Sequence, residues 1–210
     1  MEVVRALFTT SSTRDIETLP HSNKIVLGVT SLWMVIPVGW GLRQIVDGTA
    51  GESVLPETVC LALVCVASTA FWRDPKCGSW LHRLDKGLAW VFLCIMGWYS
   101  RDMGAPFLAP VVLSIVVCFL LSNYFFQHKM DYHQLLAHLL FRCISFWWAY
   151  FLVVPPDSLS VIAFVAMSCV YFGHALSLHD ALEHELFQWD YPAHCGAMLG
   201  WIGLCGLLVY

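Results

Sequence analysis

The sequence predicts an all-α membrane protein with about seven transmembrane helices and short loops. Of its 210 residues, 59% are hydrophobic and only 12% are charged, whereas a typical soluble domain carries about 25% charged residues. The mean hydropathy is +0.68. Apolar stretches close to the roughly 20 residues that a helix needs to cross a bilayer recur along the chain. This composition excludes an ordinary water-soluble domain.

Seven apolar stretches follow one another, and turn-forming residues separate several of them. Gly104 precedes the fourth stretch, and Pro155-Pro156 follows the fifth. The third stretch is short and begins with Asp85 and Lys86, so an arrangement of six spanning helices stays open. The stretches cover residues 25–42, 54–72, 84–99, 105–126, 135–154, 159–178 and 192–210.

The short loops leave no room for a second soluble domain. We therefore divide the chain into a polar N-terminal segment, residues 1–24, and a single transmembrane helical domain, residues 25–210. Glu2, Asp15 and Glu17 interrupt the first twenty residues, which distinguishes them from a secretory signal or a transit peptide. We expect the first helix itself to direct membrane insertion.

The basic residues predict the orientation, because lysine and arginine near the ends of spans favour the cytoplasmic side. In the seven-helix arrangement the face opposite the N-terminus carries only Arg43 and Arg101. The N-terminus is therefore expected on the cytoplasmic-equivalent side of a membrane whose identity the sequence does not give. The face shared with the N-terminus carries Arg5, Arg14, Lys24, Arg73, Lys76, Arg83, Lys86 and Lys129.

Arg142 lies well inside the fifth stretch, where a cation is costly unless it reaches water or polar partners. In a structural interpretation Arg142 bonds to a backbone carbonyl, or to an aspartate or glutamate of a neighbouring subunit. A transport interpretation gives it a place in a proton-linked pathway with His138 and His174. We expect no acidic partner for Arg142 inside the well-defined spans of this chain, which disfavours an ion pathway.

The segment from His179 to His184 contains two pairs of oppositely charged groups. His179 and Glu183, like Asp180 and His184, are four residues apart and therefore lie on one helical face. This pattern predicts an exposed, acidic helix end at the membrane surface, with a metal site or proton relay as the alternative. His133 and His138 are five residues apart, and so are successive members of the set His174, His179 and His184. Five residues correspond to about 140° around a helix, which disfavours a chelating pair on one helix.

A further set of polar residues comprises Ser68 near the end of the second stretch, Asp85 at the start of the third and His194 near the start of the seventh. At these residues the chain resembles the seven-helix superfamily of alkaline ceramidases, adiponectin and progestin receptors, and myomaker. In that family three histidines hold zinc for lipid amide hydrolysis. The resemblance implies catalytic roles for Ser68 and Asp85 and zinc ligation by His194.

The chain departs from that pattern at two of the three zinc ligands. Trp72 and Met198 stand where the family has histidines. Because catalytic zinc needs three protein ligands and an open position, His82 and His174 are the remaining candidate ligands. Haem would require His138 and His174 to act as a pair of axial ligands, and it is disfavoured. Zinc is the one cofactor that the candidate histidines still allow.

These patterns favour a non-catalytic, multi-pass integral membrane protein, a scaffold or lipid-contacting subunit of a membrane complex. Membrane lipids and other protein subunits are the expected partners. Nucleic acid is not expected, because no basic cluster with interleaved aromatic residues occurs. The first alternative is a zinc-dependent, ceramidase-like membrane lipid amidohydrolase or a degenerate member, and the second is a transporter that uses Arg142, His138 and His174.

Two features of the apolar stretches predict how the helices meet lipid and each other. Trp147, Trp148 and Tyr150 lie near the outer end of the fifth helix, where aromatic residues often form an interfacial belt. Gly196 and Gly200 have the spacing that lets two helices approach closely in a membrane.

Overall fold

The computed structural model describes residues 15–52, 54–100, 105–153, 158–184 and 191–209. Throughout these ranges the regular structure is helical and no strand occurs, so the all-α prediction is confirmed. A 3-10 turn, Ile16–Thr18, precedes the first long helix. The long helices are α1 (His21–Val46), α2 (Val54–Arg73), α3 (Trp80–Tyr99), α4 (Ala105–Gln127), α5 (Asp131–Val153), α6 (Ser158–Glu183) and α7 (Tyr191–Val209).

Each predicted apolar stretch corresponds to one helix, and the helices extend further into polar sequence than predicted. α3 begins at Trp80, four residues before the apolar stretch, because the Ser79 side chain accepts a hydrogen bond from the His82 backbone N–H at 3.2 Å. This cap stabilises a first turn that hydropathy alone does not detect. Within the described ranges, four helical segments are long and apolar enough to cross a membrane: His21–Val46, Val54–Arg73, Ala109–Gln127 and Val161–Glu183.

The helix α1 is divided into three parts. An α-helix, His21–Thr30, passes into a 3-10 stretch, Ser31–Met34, before a second α-helix, Val35–Val46. Pro37 follows the 3-10 stretch, and proline both lacks the N–H and crowds the carbonyl one turn earlier. The regular hydrogen-bond ladder therefore changes just ahead of Pro37.

The first part of α1 is the centre of the bundle. Every residue from Ile25 to Thr30 is buried, and this part contacts α2, α5, α6 and α7. By contrast, only 11% of the most apolar window of α4 and 17% of that of α6 are buried inside the protein, against 61% for α1. α4 and α6 thus present apolar side chains outward, as helices surrounded by lipid do.

The predicted interfacial belt on α5 is wrong for two of its three residues. Trp148 and Tyr150 are buried, and the Trp148 indole N–H donates a hydrogen bond to the Ser100 hydroxyl at the end of α3. The Tyr150 ring packs on Phe164 of α6, with ring centroids 5.5 Å apart. Packing by α3 and α6 therefore places these aromatic residues in the core.

Gly196 and Gly200 of α7 do not pack against another described helix of this chain, and their approach to a partner helix stays a prediction. A Cβ atom at Gly196 or Gly200 would meet no atom within 4 Å, so no close helix packing occurs at these two positions within the described chain. A close approach does occur at Gly28 of α1, where a Cβ atom would overlap the Tyr191 hydroxyl. That hydroxyl donates a hydrogen bond of 2.7 Å to the Thr69 carbonyl, which fastens the start of α7 to α1 and α2.

We predict that Gly28→Ala lowers the free energy of unfolding by about 1–3 kcal/mol, because the added methyl group displaces the Tyr191 hydroxyl from a packed core. Tyr191→Phe in the same chain should restore part of the loss by removing the overlapping oxygen. Thermal unfolding in detergent measures both. Gly39→Ala is the control in the same helix, since its Cβ would meet nothing within 4 Å. An equal effect of the two alanines would contradict the close approach.

Candidate functional site

A buried polar cluster is centred on Arg142 of α5, which is only 4% exposed. Its Nη1 donates to the Leu27 carbonyl and to the Thr30 hydroxyl, the latter at 3.1 Å, and its Nη2 donates to the Ser68 hydroxyl at 3.2 Å. One guanidinium therefore bonds to α1 and α2 from α5. These neutral acceptors are the polar partners that a cation at this depth requires.

The Leu27 carbonyl is accessible to Arg142 because α1 changes its hydrogen-bond pattern there. The Ser31 backbone N–H bonds to the carbonyls of Gly28 and Val29, as the chain enters the 3-10 stretch. The Leu27 carbonyl accepts instead from Arg142 and from the Ser31 hydroxyl, the latter at 2.9 Å. Side chains thus satisfy the backbone group that the helix break releases, as the apolar environment demands.

Ser68 and Asp85, the two residues to which the resemblance assigns catalytic roles, lie beside this centre. The Ser68 and Ser31 hydroxyls are 3.0 Å apart, and both are buried. Asp85 in the first two turns of α3 is half-buried and close enough to interact electrostatically with Ser68 and with Arg142. The polar start of α3 thus places Asp85 within electrostatic reach of Arg142, and the absence of an acidic partner from the well-defined spans stays a prediction.

The two positions that depart from the family pattern are apolar and buried. Trp72 is packed beneath the guanidinium, whose carbon lies 6.0 Å from the ring centroid, and it also contacts His138 at 5.7 Å between ring centroids. Met198 is completely buried. His138 Nδ1 lies 3.4 Å from the Ser122 hydroxyl, which connects α5 to α4. His138 thus adjoins the Arg142 centre through Trp72.

The candidate zinc ligands occupy separate structural settings. His82 Nδ1 accepts a hydrogen bond of 2.9 Å from the Gly78 backbone N–H, and its ring stacks on Phe71, so it organises the loop before α3. His194 is buried in the first turn of α7, and His174 is half-buried on α6. In the described part of the chain, no group of three or more His, Cys, Asp or Glu residues could hold a metal ion.

The acidic segment at the end of α6 forms the two pairs that the spacing predicts. His179 Nε2 lies 3.9 Å from Glu183, and His184 Nδ1 lies 3.4 Å from Asp180. His184 and Asp180 are exposed, whereas His179 also bonds to the buried Asn23 side chain of α1 at 3.0 Å. The segment is therefore partly a surface and partly a contact between helices.

Asn23 extends this contact to a third helix. Its amide nitrogen donates a hydrogen bond of 2.9 Å to the Asp131 carbonyl at the start of α5. The neighbouring Ser22 hydroxyl donates to the Glu183 carboxylate of α6. Together these bonds hold the first turn of α1 to the start of α5 and the end of α6, and the sequence analysis did not identify Ser22 or Asn23.

Glu57 is a further residue that the sequence analysis missed. It lies one turn inside α2 and is 1% exposed, and neither of its carboxyl oxygens has a hydrogen-bond partner among the described residues. The neighbouring Thr58 hydroxyl is likewise buried without a partner in these ranges and packs where a side chain at Gly41 would stand. The sequence did contain a signal for Glu57: it is the one carboxylate in the apolar stretch 54–72, and carboxylates are rare within membrane spans.

Comparisons with known proteins give no further assignment. No protein-family model matches the chain, and neither the curated proteins nor the solved structures contain a significant match.

We predict that Arg142→Gln lowers the free energy of unfolding by about 3 kcal/mol, because the shorter amide leaves the Leu27 carbonyl and its neighbours without their donor. The matched control is Arg43→Gln, which removes an exposed arginine paired with Asp47 at 3.4 Å and should cost at most about 1 kcal/mol. Chemical unfolding in detergent measures both. Equal losses for the two variants would contradict the central role of Arg142.

We predict that Glu57→Met keeps or raises the stability of the protein. Methionine fills a similar volume, and an unpartnered buried carboxyl group is costly. Glu57→Ala is the comparison, since it should destabilise by about 2 kcal/mol through the cavity that it leaves. If methionine lowers the unfolding midpoint as much as alanine does, the carboxyl group makes a favourable interaction and this account of Glu57 is wrong.

Proposed function

We propose that this chain is a non-catalytic, multi-pass integral membrane protein that serves as a scaffold or lipid-contacting subunit. The observation that carries the proposal is the use of Arg142 within its own bundle. Its bonds to Leu27, Thr30 and Ser68 join three helices. A carrier or an enzyme needs polar groups that a substrate can reach, whereas these groups satisfy one another.

The residues near this centre do not fit a catalytic zinc site. Such a site needs three protein ligands and a fourth, open position. Trp72 and Met198 stand at two of the three positions that the family resemblance assigns to ligands, and both are buried. His82 is engaged by the backbone of its own loop. Arg142 places a permanent positive charge beside Ser68, which further disfavours a cation there.

The outer surface of the bundle supports contact with lipids and with partner helices. The most apolar windows of α4 and α6 are largely unburied among the described residues. Gly196 and Gly200 of α7 leave open space into which a partner helix could pack closely. Seven spanning helices, with the N-terminus on the cytoplasmic side, would place the exposed Arg73, Lys76 and Arg83 on that side as well.

A second candidate is a ceramidase-like amidohydrolase, active or degenerate. One observation favours it: Ser68 and Asp85 lie together at the same end of the bundle, as the family resemblance implies. That proximity equally serves to hold α3 on α2, so it does not by itself favour catalysis over a structural role.

Native mass and metal content, measured on protein purified gently in nanodiscs, test the proposal. We expect co-purifying membrane subunits and no stoichiometric zinc. His194→Ala should leave metal content and assembly unchanged, and His133→Ala on the exposed start of α5 is the matched control. About one zinc per chain in an isolated protein, lost only in the His194 variant, would overturn the proposal and favour the hydrolase.

A further inference from the structure

Four basic side chains are exposed at the end of the bundle where α2 meets α3. They are Arg73, Lys76, Arg83 and Lys86. Arg73 ends α2, Lys76 lies in the connecting loop, and the other two lie in the first two turns of α3. We name this set the basic corner. It concentrates positive charge at the level where lipid headgroups meet the ends of spanning helices.

Two acidic residues, Asp74 and Asp85, lie beside these four basic residues. Asp74 pairs with Lys76 at 2.8 Å and raises the pKa of that lysine, so Lys76 stays cationic at neutral pH. Asp85 is half-buried and interacts with Lys86 as well as with Ser68 and Arg142 at the polar centre, so the two carboxylates offset part of the four positive charges. The basic corner therefore keeps a net positive charge toward its surroundings.

An apolar stripe on α3 continues directly from the basic corner. Trp80 is 71% exposed, and Leu84, Gly87 and Val91 follow it at three- and four-residue intervals along one exposed face. A Cβ atom at Gly87 would meet nothing within 4 Å, so the helix surface has a shallow depression there, which we call the open step. Arg83 lies beside the start of the stripe. The positive charge thus lies at one end of an apolar surface, an arrangement that matches the charged headgroup and apolar chain of a lipid.

We propose that the basic corner and this stripe bind an anionic phospholipid, whose phosphate contacts Arg83 and Lys86 and whose acyl chain follows Leu84, Gly87 and Val91. Clusters of four or more basic residues immediately beyond a membrane span attract anionic headgroups, and exposed tryptophan is typical of the headgroup level. The proposal goes beyond the scaffold function and rests on the proposed seven-helix arrangement, in which α3 crosses the membrane.

A lipid fits this surface better than an acidic protein segment does. In the proposed seven-helix arrangement the apolar stripe runs along the length of α3 that crosses the membrane, which a soluble partner could not follow. The positive-inside preference alone accounts for the four charges. It does not account for the exposed tryptophan and the open step at Gly87 that continue from them.

Native mass spectrometry of the full chain, released from nanodiscs of phosphatidylcholine with or without phosphatidylserine, tests the proposal. We expect retained phosphatidylserine on the native protein, and about fivefold weaker retention for each of Arg83→Gln and Lys86→Gln. Arg43→Gln removes an exposed arginine at the opposite end and should have no effect. Equal retention by all three variants, or equal retention of the two lipids, would overturn the proposal.

Two additional variants separate lipid binding from membrane insertion. Arg83→Lys keeps the charge and should keep most of the retained phosphatidylserine. Trp80→Ala leaves the charge unchanged and should weaken retention through the lost apolar contact. Protease accessibility of an N-terminal tag reports whether each variant keeps its orientation. Weak retention by Arg83→Lys together with full retention by Trp80→Ala, in correctly oriented protein, would contradict the arrangement.

Discussion

The structure depends on one constraint: a guanidinium group in an apolar interior must find hydrogen-bond acceptors within the protein. Arg142 finds them on two other helices, at the Leu27 carbonyl, the Thr30 hydroxyl and the Ser68 hydroxyl. Because three helices share these bonds, a displacement of any one exposes a buried polar group. The same constraint fixes the depth of α5 relative to α1, where apolar packing alone would permit sliding.

The helix break in α1 supplies a free carbonyl acceptor, and the arginine in α5 supplies the hydrogen-bond donor for it. Pro37 makes a continuous α-helix unfavourable, and the 3-10 stretch Ser31–Met34 leaves the Leu27 carbonyl without a regular partner. The Arg142 guanidinium supplies N–H donors to that carbonyl. Each feature would be costly alone in a membrane, and together they concentrate the polarity of the bundle at its centre while α4 and α6 remain apolar outside.

Hydropathy predicted the helices well, because an apolar run of membrane length must satisfy its backbone groups internally and therefore folds as a helix. It also identified Arg142 as anomalous. Its main acceptor was not predictable, since every residue has a carbonyl and only the three-dimensional structure shows which one the helix break releases. The burial of Trp148 was not predictable for a related reason: neighbouring helices decide whether a side chain at a span's end faces lipid or core. Glu57 was simply overlooked, although its charge in an apolar stretch was visible.

The most direct test of this account is the 13C–15N dipolar coupling between leucine carbonyl carbons and arginine guanidinium nitrogens, measured by solid-state NMR on the protein in lipid. The account predicts a short-range coupling in the native protein that disappears in Leu27→Ile, which removes the labelled carbonyl carbon while keeping an apolar side chain. Arg142→Gln should abolish the same signal. A native spectrum without this coupling, or one unchanged in both variants, would contradict the role assigned to Arg142.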